Sequence, residues 1–236
     1  AVYVEKKIEE MDIVFLMDRF GYARSVDVPT YERNKEAADT ENKYVVFCKN
    51  PGKICIFTNT GQLHTVKLQD VPFGKFRDKG VPIDNISNYD SQKEYAITVE
   101  SQTSLNLYRI LFVTAQAMMK VVDGGEFDVA KRTVAATKLQ DNDEVISVEI
   151  IKEQKQVILQ SADGYFLRFG LEEIPEKKKS AVGVRGMKLS DKDHVEAVYY
   201  TQAAMPDPDI VYKDKHVELQ RIKPQHRDSK GTKLRL

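Results

Sequence analysis

Positively charged residues cluster in four short segments that recur along the chain. The segments are Lys75–Val81 (KFRDKGV), Lys131–Val134 (KRTV), Lys177–Leu189 (KKKSAVGVRGMKL) and Arg227–Lys233 (RDSKGTK). Lysine and arginine side chains on exposed loops can neutralise nucleic-acid phosphates and release the counterions around them. A single segment of this kind is typical of a solvated hairpin tip. Four of them at one point of a repeat predict a continuous phosphate-binding edge instead.

The candidate phosphate contacts fall into two groups. The first group comprises the charged side chains of these segments: Lys75, Arg77, Lys79, Lys131, Arg132, Lys177, Lys178, Lys179, Arg185, Lys188, Lys230 and Lys233. The second group follows the hairpin turns of the repeat: Arg24, His64, Lys120, Arg168 and Arg221. Strand residues of this second group have an alternative role, since their alkyl stems can cover neighbouring strands. Phosphate contacts carry no sequence information, so we expect little sequence preference and a strong salt dependence.

Cysteines and histidines point to no further chemistry. Cys48 and Cys55 lie in apolar runs without the C-x-x-C spacing, which predicts buried free thiols in a reducing cytoplasm. The four histidines form no H-x-x-x-H or H-x-H pair, so no zinc site is expected. The sequence also lacks the P-loop, nucleophile-elbow and dinucleotide-binding motifs. We therefore expect no catalytic residue, no metal and no cofactor.

The neutral charge balance argues at first against a nucleic-acid binder. The 236 residues include 36 Lys and Arg and 36 Asp and Glu, whereas nucleic-acid-binding domains are usually basic. The charge is unevenly spread, because residues 176–236 carry 14 basic and 9 acidic side chains. A chain with zero net charge can therefore still bind a polyanion through a local basic surface, with moderate affinity that depends on salt.

Composition is that of a globular chain. Hydrophobic residues make up 42% and charged residues 31%, which excludes a disordered chain. No apolar run approaches the ~20 residues of a transmembrane helix, and the first ten residues contain no signal-peptide core. We expect a cytoplasmic protein without membrane contact. The sequence does not begin with Met, which suggests a fragment of a longer chain.

Short β-rich runs separated by polar turns dominate the pattern and predict an all-β fold. The clearest strand candidates are Asp12–Met17, Tyr44–Cys48, Lys53–Phe57, Arg109–Thr114, Gln156–Leu159 and Asp209–Tyr212. The best helix candidate is Thr30–Ala38 (TYERNKEAA). Frequent turn signals between short strands favour a sandwich, a barrel or a propeller.

One unit recurs five times: an apolar strand, a turn and a second strand, in most units with a basic residue. The turn position falls at Gly21, Gly61, Ala117, Gly164 and Val217. Glycine supplies the positive φ of a tight hairpin, so the turns at Ala117 and Val217 are expected to differ in type. Spacings of roughly 40–55 residues match four-stranded blades arranged radially. The sequence predicts one domain, 1–236, with blades at about 1–43, 44–92, 93–141, 142–200 and 201–236.

Three motifs carry a family resemblance: F-G-Y-A-R-S at Phe20–Ser25, D-G-Y-F-L-R-F at Asp163–Phe169 and G-V-R-G-M-K-L at Gly183–Leu189. In this order and spacing the chain, from about Lys6 onward, resembles the C-terminal domain of the A subunit of bacterial type IIA topoisomerases. That family comprises DNA gyrase and topoisomerase IV. The resemblance implies a β-pinwheel of about five blades that exchange strands, with a basic rim that binds and bends double-stranded DNA for strand passage.

The resemblance also implies partners and a place in the cell. The domain would follow a breakage-reunion domain that holds the active-site tyrosine, and would work with an ATPase B subunit in the nucleoid of a bacterial cytoplasm. No segment here resembles that catalytic region, so the chain by itself is not expected to be an enzyme. Tyrosines such as Tyr22 and Tyr165 are expected to be packing aromatics.

One departure from the family pattern separates its two branches. Gyrase A subunits carry a box of the form Q-[RK]-R-G-G-[RK]-G after the first hairpin, which the family ties to DNA wrapping and negative supercoiling. The corresponding stretch here is Tyr31–Asn42 (YERNKEAADTEN), without Gly-Gly and with two basic residues. This difference favours topoisomerase IV, for decatenation and relaxation, over a divergent gyrase.

Two other classes stay open on the residues alone. A protein-interaction propeller would use the basic segments only for solubility and would not bind DNA. A propeller enzyme would need converging His, Asp or Glu side chains near a central channel, and the sequence shows no such set.

Overall fold

The computed structural model describes residues 1–2 and 9–235. The strands are β1 (Asp12–Asp18), β2 (Tyr22–Asp27), β3 (Asn42–Lys49), β4 (Lys53–Thr58), β5 (Gln62–Lys67), β6 (Val81–Pro82), β7 (Ala96–Ser101), β8 (Arg109–Thr114), β9 (Met118–Asp123), β10 (Thr133–Ala135), β11 (Val145–Ile151), β12 (Gln154–Ser161), β13 (Tyr165–Gly170), β14 (Val184–Arg185), β15 (Val195–Gln202), β16 (Asp209–Tyr212), β17 (Lys215–Glu218) and β18 (Thr232–Lys233). All six strand candidates lie in strands, so the all-β prediction is confirmed.

Helices are few and short. The α-helices are α1 (Val28–Arg33), α2 (Lys35–Glu41) and α3 (Gln102–Leu105), and 3₁₀ turns cover Leu68–Asp70, Ile83–Asn85, Gly124–Phe127, Leu171–Glu173 and Leu219–Arg221. The predicted helix Thr30–Ala38 is confirmed by α1 and α2. Asp27 caps α1, because its carboxylate accepts a hydrogen bond from the backbone N–H of Thr30 at 2.8 Å.

The strands form four four-stranded antiparallel sheets and a final hairpin. The sheet orders are β3-β1-β2-β6, β10-β5-β4-β7, β11-β8-β9-β14 and β15-β12-β13-β18, followed by β16-β17. In each four-stranded sheet a hairpin supplies the two central strands, and a long strand later in the chain (β3, β7, β11 or β15) pairs with the first hairpin strand. The fourth strand is short, pairs with the second hairpin strand, and comes from the next unit along the chain.

We call this fourth strand the exchanged strand, and it confirms the pinwheel expectation of blades that share strands. One consequence concerns the blade boundaries. β3 (Asn42–Lys49) crosses the predicted boundary between residues 43 and 44, and β15 (Val195–Gln202) crosses that between 200 and 201. The ranges that contain consecutive complete sheets therefore overlap in sequence, and no boundary separates one sheet from the next. Within the described residues the fifth sheet has two strands rather than four.

The sheets pack on one another in chain order, with the core between them. Alternate residues of each central strand face opposite neighbours, as the two-residue period of a strand requires. On β4, Ile54 and Ile56 pack towards the first sheet, whereas Cys55 and Phe57 pack towards the third. The corresponding cores join the third sheet to the fourth and the fourth to the last hairpin. The central strands are therefore covered on both faces, and most of their residues away from the strand ends are buried.

The first sheet has a different neighbour on its outer side. Val14 and Leu16 of β1 pack there against buried Tyr31 and Ala38 of the two short helices. Helices α1 and α2 thus occupy the place that a preceding sheet would fill.

Three of the predicted turns use glycine as expected. Gly21, Gly61 and Gly164 have φ of +85°, +80° and +88°. The expectation for Ala117 was wrong: it adopts φ of 65° and donates to the carbonyl of Thr114 at 2.9 Å, the same turn that the glycines make. A left-handed alanine costs about 1–2 kcal/mol, which burial of its methyl group in the core between sheets three and four can offset.

The repeat pattern predicted the fifth turn at the wrong residue. Val217 is a buried residue of β17, and the chain reverses earlier, at Lys213 and Asp214, with φ of 48° and 63°. Two consecutive left-handed residues make a type I′ turn, so this hairpin does differ in type from the others.

Both cysteines are free thiols, as predicted. Cys55 is buried and Cys48 half-buried. Burial raises the pKa of each thiol to about 12, so neither is reactive at neutral pH.

Candidate nucleic-acid interface

The four basic segments occupy equivalent places in the fold. We call them the basic loops, with the ranges 75–81, 131–134, 177–189 and 227–233. Each follows the 3₁₀ turn after a hairpin and leads into an exchanged strand: β6, β10, β14 and β18 in turn. Each loop therefore runs beside the second hairpin strand of the preceding sheet. Because each exchanged strand follows such a loop, the charged loops recur at one position of the repeat.

Backbone hydrogen bonds hold these loops against that strand. Directly before the first, the N–H of Gly74 donates to the carbonyl of Ser25 at 3.1 Å. In the second, the N–H of Thr65 donates to the carbonyl of Arg132 at 2.9 Å. In the third, the N–H of Lys177 donates to the carbonyl of Val121 at 2.8 Å. The loops are thus an extension of the sheets rather than free connections.

Glycine allows the closest approach in three of the four loops. A Cβ at Gly80, Gly183 or Gly231 would lie 2.2, 2.4 or 2.5 Å from a backbone carbonyl oxygen of the adjacent strand. All three have positive φ, between 80° and 103°. The second loop has no glycine and places Arg132 just before its exchanged strand.

The first group of candidate contacts is mostly exposed. Eleven of its twelve members are exposed, and Lys179 is half-buried. The ammonium of Lys79 lies 4.6 Å from the centre of the Tyr22 ring. Lys230 and Lys233 lie 4.9 and 5.6 Å from the ring of Tyr165. These cation–π contacts give the lysines a preferred direction while leaving them accessible.

Sequence reasoning missed this role of the two tyrosines, which were expected only to pack. The sequence does contain a signal for these contacts. Each tyrosine directly follows the glycine of a hairpin turn, and its lysine directly precedes the glycine of a basic loop. The two pairs are Gly21-Tyr22 with Lys79-Gly80, and Gly164-Tyr165 with Lys230-Gly231. The pairing itself depends on strand exchange and is not visible in sequence spacing.

Arg185 is the most constrained member of the first group. Its Nε donates to Oδ1 of Asp228 at 2.5 Å, and the second guanidinium contact is 3.3 Å. The hydrogen bond from Arg185 holds the pKa of the Asp228 carboxyl below its usual value. The guanidinium is 55% exposed, so it can reach a phosphate only in competition with this carboxylate.

Hydrogen bonds join neighbouring basic loops, either directly or through the residues that follow a loop. The N–H of Lys188 donates to the carbonyl of Ser229 at 2.9 Å, which joins the third loop to the fourth. The hydroxyl of Thr137, shortly after the second loop, donates to the carbonyl of Ala181 in the third at 3.3 Å. Asn88, shortly after the first loop, donates to Thr133 in the second at 3.1 Å. A chain of contacts therefore links all four loops.

The second group of candidates is largely buried, which corrects their assignment as phosphate contacts. Arg24, His64 and Lys120 are 8%, 3% and 0% exposed. All three are the third residue after a hairpin turn, where the exchanged strand and its loop cover them. A buried side chain cannot reach a phosphate on the surface.

His64 instead joins three parts of the second sheet. Its Nδ1 lies 2.8 Å from the hydroxyl of Thr133 on the exchanged strand, and its Nε2 lies 3.0 Å from the carboxylate of Glu94. Burial raises the pKa of Glu94, but the hydrogen bonds it accepts from Thr58 and His64 outweigh burial and bring its pKa below the usual value. Glu94 is thus a buried carboxylate that stays ionised.

Arg168 and Arg221 complete the second group. The guanidinium of Arg168 donates to Gln156 at 2.6 Å and to Asp207 at 2.9 Å, and it is 13% exposed. It therefore fixes the connection to the last hairpin and is not available to DNA. Arg221 is exposed and lies 2.7 Å from Glu218, so it alone of the second group remains on the surface.

In the part of the chain that the structure describes, no three His, Cys, Asp or Glu side chains come together as metal ligands. Among the same residues, no helix is long and apolar enough to cross a membrane.

Known proteins with similar sequences are A subunits of DNA gyrase. The chain is 26% identical over 222 residues to the DNA gyrase A subunit of Lawsonia intracellularis, covering 89% of this chain and 27% of that protein. It is 25% identical over 206 residues to the DNA gyrase A subunit of Klebsiella oxytoca, covering 82% and 23%. The chain thus spans about a quarter of the length of these relatives.

Solved structures with the same fold come from both branches. The C-terminal domain of a DNA topoisomerase IV superposes with a TM-score of 0.80 at 20% identity, covering 96% of this chain and 73% of that one. The E. coli ParC C-terminal domain gives 0.75 at 16% identity, covering 95% and 94%. A DNA gyrase A C-terminal domain gives 0.62 at 19% identity, covering 94% and 76%. At these identities the likeness establishes the fold.

The family model described as "DNA gyrase C-terminal domain, beta-propeller" matches residues 52–91, 108–152 and 155–202. These three segments follow the repeat, since they begin close to the hairpins of the second, third and fourth sheets. They cover more than half of the chain, which therefore belongs to the family of DNA gyrase C-terminal β-propeller domains.

Proposed function

We propose that this chain binds and bends duplex DNA along its basic loops, as the C-terminal domain of a type IIA topoisomerase A subunit. The observation that carries the proposal is the equivalent placement of four exposed basic loops on consecutive sheets, each linked to the next directly or through the residues that follow it. The domain would present DNA for strand passage, in company with a breakage-reunion domain and an ATPase B subunit in a bacterial cytoplasm. Those partners follow from family membership rather than from contacts within the chain.

The free-energy terms of binding and bending favour a moderate affinity for DNA. Bending a short DNA site by 40–90° costs about 1–6 kcal/mol. Counterion release from several lysine and arginine contacts can offset that cost, and loops already fixed by backbone hydrogen bonds lose little entropy on binding. The contacts would be made to the backbone only, so the grip would be independent of base sequence.

Duplex binding by the full chain is expected to weaken steeply with salt. If six to ten phosphates are contacted, affinity falls by about 10³–10⁵ between 50 and 200 mM salt. Titration of a plain duplex in a gel shift, and of a second duplex of unrelated sequence, measures both dependences. Binding that ignores salt, or no binding at all, would contradict the proposal and favour a protein-interaction propeller.

The first unit favours a topoisomerase IV-like role over gyrase-type supercoiling. The stretch Tyr31–Asn42, where the gyrase box is expected, is taken up by α1 and α2, with the hydroxyl of Tyr31 donating to Asp39 at 2.6 Å. Buried Tyr31 and Ala38 pack on the first sheet. Because this segment packs on the first sheet, we do not expect it to replace the basic glycine-rich box that the family ties to DNA wrapping.

A holoenzyme that carries this domain is accordingly expected to decatenate and relax DNA well and to introduce few negative supercoils. Decatenation of interlinked circles and supercoiling of relaxed plasmid, measured side by side on one preparation, test this expectation. Efficient ATP-dependent negative supercoiling would overturn it and favour the alternative, a divergent gyrase, which the sequence relatives support by name.

A further inference from the structure

A buried polar residue recurs behind three of the four basic loops. It is the third residue after the hairpin turn: Arg24, His64 and Lys120 in sheets one to three, and Leu167 in sheet four. Each polar member touches the basic loop that crosses it. The Arg24 guanidinium lies 5.5 Å from the ring of Phe76, and His64 lies 2.8 Å from Thr133.

Lys120 makes the most complete contact of the three. Its ammonium donates to the carbonyl oxygens of Lys178, Lys179 and Ala181 at 2.9, 3.1 and 2.7 Å. All three ammonium protons are therefore used within one turn of the third basic loop. The ammonium also lies 5.6 Å from the centre of the Phe112 ring.

Packing alone does not account for a charge at this position. Leu167 occupies the equivalent place in sheet four and is fully buried, so an apolar side chain fits there. Burial lowers the pKa of Lys120 to about 8, which reflects the cost of removing an ammonium from water. What a lysine adds over a leucine is its three hydrogen bonds to the loop.

These bonds set the orientation of the third basic loop. Three carbonyl groups turned inwards to one ammonium fix the peptide planes of residues 178–181. The side chains of Lys177 and Lys178 are exposed, and the ammonium of Lys178 lies 3.9 Å from the carboxylate of Glu126. Glu126 closes the other side, since its carboxylate accepts from the N–H of Lys179 at 3.2 Å. The buried ammonium of Lys120 thus holds the backbone of the loop, while the loop exposes the side chains of Lys177 and Lys178 to solvent.

We propose that Lys120 is a positioning residue that holds the third basic loop in the shape in which Lys177 and Lys178 contact DNA phosphates. The inference rests on the proposed DNA-binding function. Lys120, a buried residue of the second group, would then support DNA binding without touching the DNA.

The first test measures the loop without DNA. Lys120→Leu reproduces sheet four, and Lys120→Gln is a second uncharged variant that keeps an amide donor; Lys155→Leu, at an exposed strand lysine, is the control. Trypsin cleavage after residues 177–179 of the folded full chain, followed by mass spectrometry, should accelerate about five- to thirty-fold in the Lys120 variants and stay unchanged in the control. Unchanged cleavage in the Lys120 variants would overturn the proposal. Loss of the fold in both Lys120 variants would also overturn it, because the ammonium would then stabilise the whole domain rather than position the loop.

The second test measures coupling to DNA. Lys120→Leu and the double variant Lys177→Ala with Lys178→Ala are each expected to lower the slope of log affinity against log salt by up to about 1.8, the value for two phosphates. Combining them should add nothing further, because Lys120 acts only through this loop. Additive losses would overturn the proposal. A wild-type chain that binds no DNA would sink the proposed function instead, while the cleavage test would still report whether Lys120 holds the loop.

Discussion

Neutralising eight exposed cations, two from each of the four basic loops, is expected to abolish duplex binding by the full chain. The variant replaces eight side chains with glutamine: Lys75, Arg77, Lys131, Arg132, Lys177, Lys178, Lys230 and Lys233. Non-specific DNA binding is supplied almost entirely by phosphate neutralisation. Loss of eight contacts would lower the slope of log affinity against log salt by up to about 7 and leave no measurable complex at about 100 mM salt.

A matched control separates local charge from net charge. It replaces eight exposed cations outside the loops: Arg19, Lys43, Lys49, Lys67, Arg109, Lys152, Lys155 and Lys192. Both variants change the net charge by the same amount, so a long-range electrostatic effect would weaken them equally. Gel shifts give the affinities, and energy transfer between dyes at the two ends of a duplex reports its bend. Equal weakening of the two variants would contradict a binding edge made by the loops.

Much of the fold could be predicted from the sequence because its local signals agree with one another. The apolar runs became strands, Thr30–Ala38 became helical, and glycine marked three of the hairpin turns. The exposed members of the first group were also found correctly as surface cations, since charge and glycine together indicate a solvated loop. These features depend on residues near one another in the chain.

The errors concern features that depend on distant residues. Lys120 stands in a strand after a turn, like an ordinary half-exposed position, and only the loop of the next unit, some sixty residues later, covers it. The same exchange buries Arg24 and His64. Ala117 adopts a glycine conformation because its methyl group belongs to the core between two sheets. Local propensity has no access to such tertiary compensation.

Gly183→Ala is expected to destabilise the domain severely. Gly183 has φ of +103°, and an added Cβ would lie 2.4 Å from the carbonyl oxygen of Met119 and 3.2 Å from Cβ of Lys120. The obstructing oxygen belongs to a central strand that neighbouring sheets hold on both faces, so it cannot move aside. A left-handed alanine costs about 1–2 kcal/mol and a forced overlap about 1–3 kcal/mol more.

The free energy of unfolding should therefore fall by about 2–5 kcal/mol, and Tm by about 4–20 °C, in denaturant and thermal melts. Gly125→Ala is the control, because Gly125 has no positive φ and its Cβ would meet only the side-chain oxygen of Asp123, at 3.1 Å. That variant should lie within about 1 kcal/mol of wild type. Equal stability of the two variants would show that the third loop is not pressed against β9. Since Gly80 and Gly231 make the same approach in the first and fourth loops, such a result would also count against the close contact between basic loop and strand in those two loops.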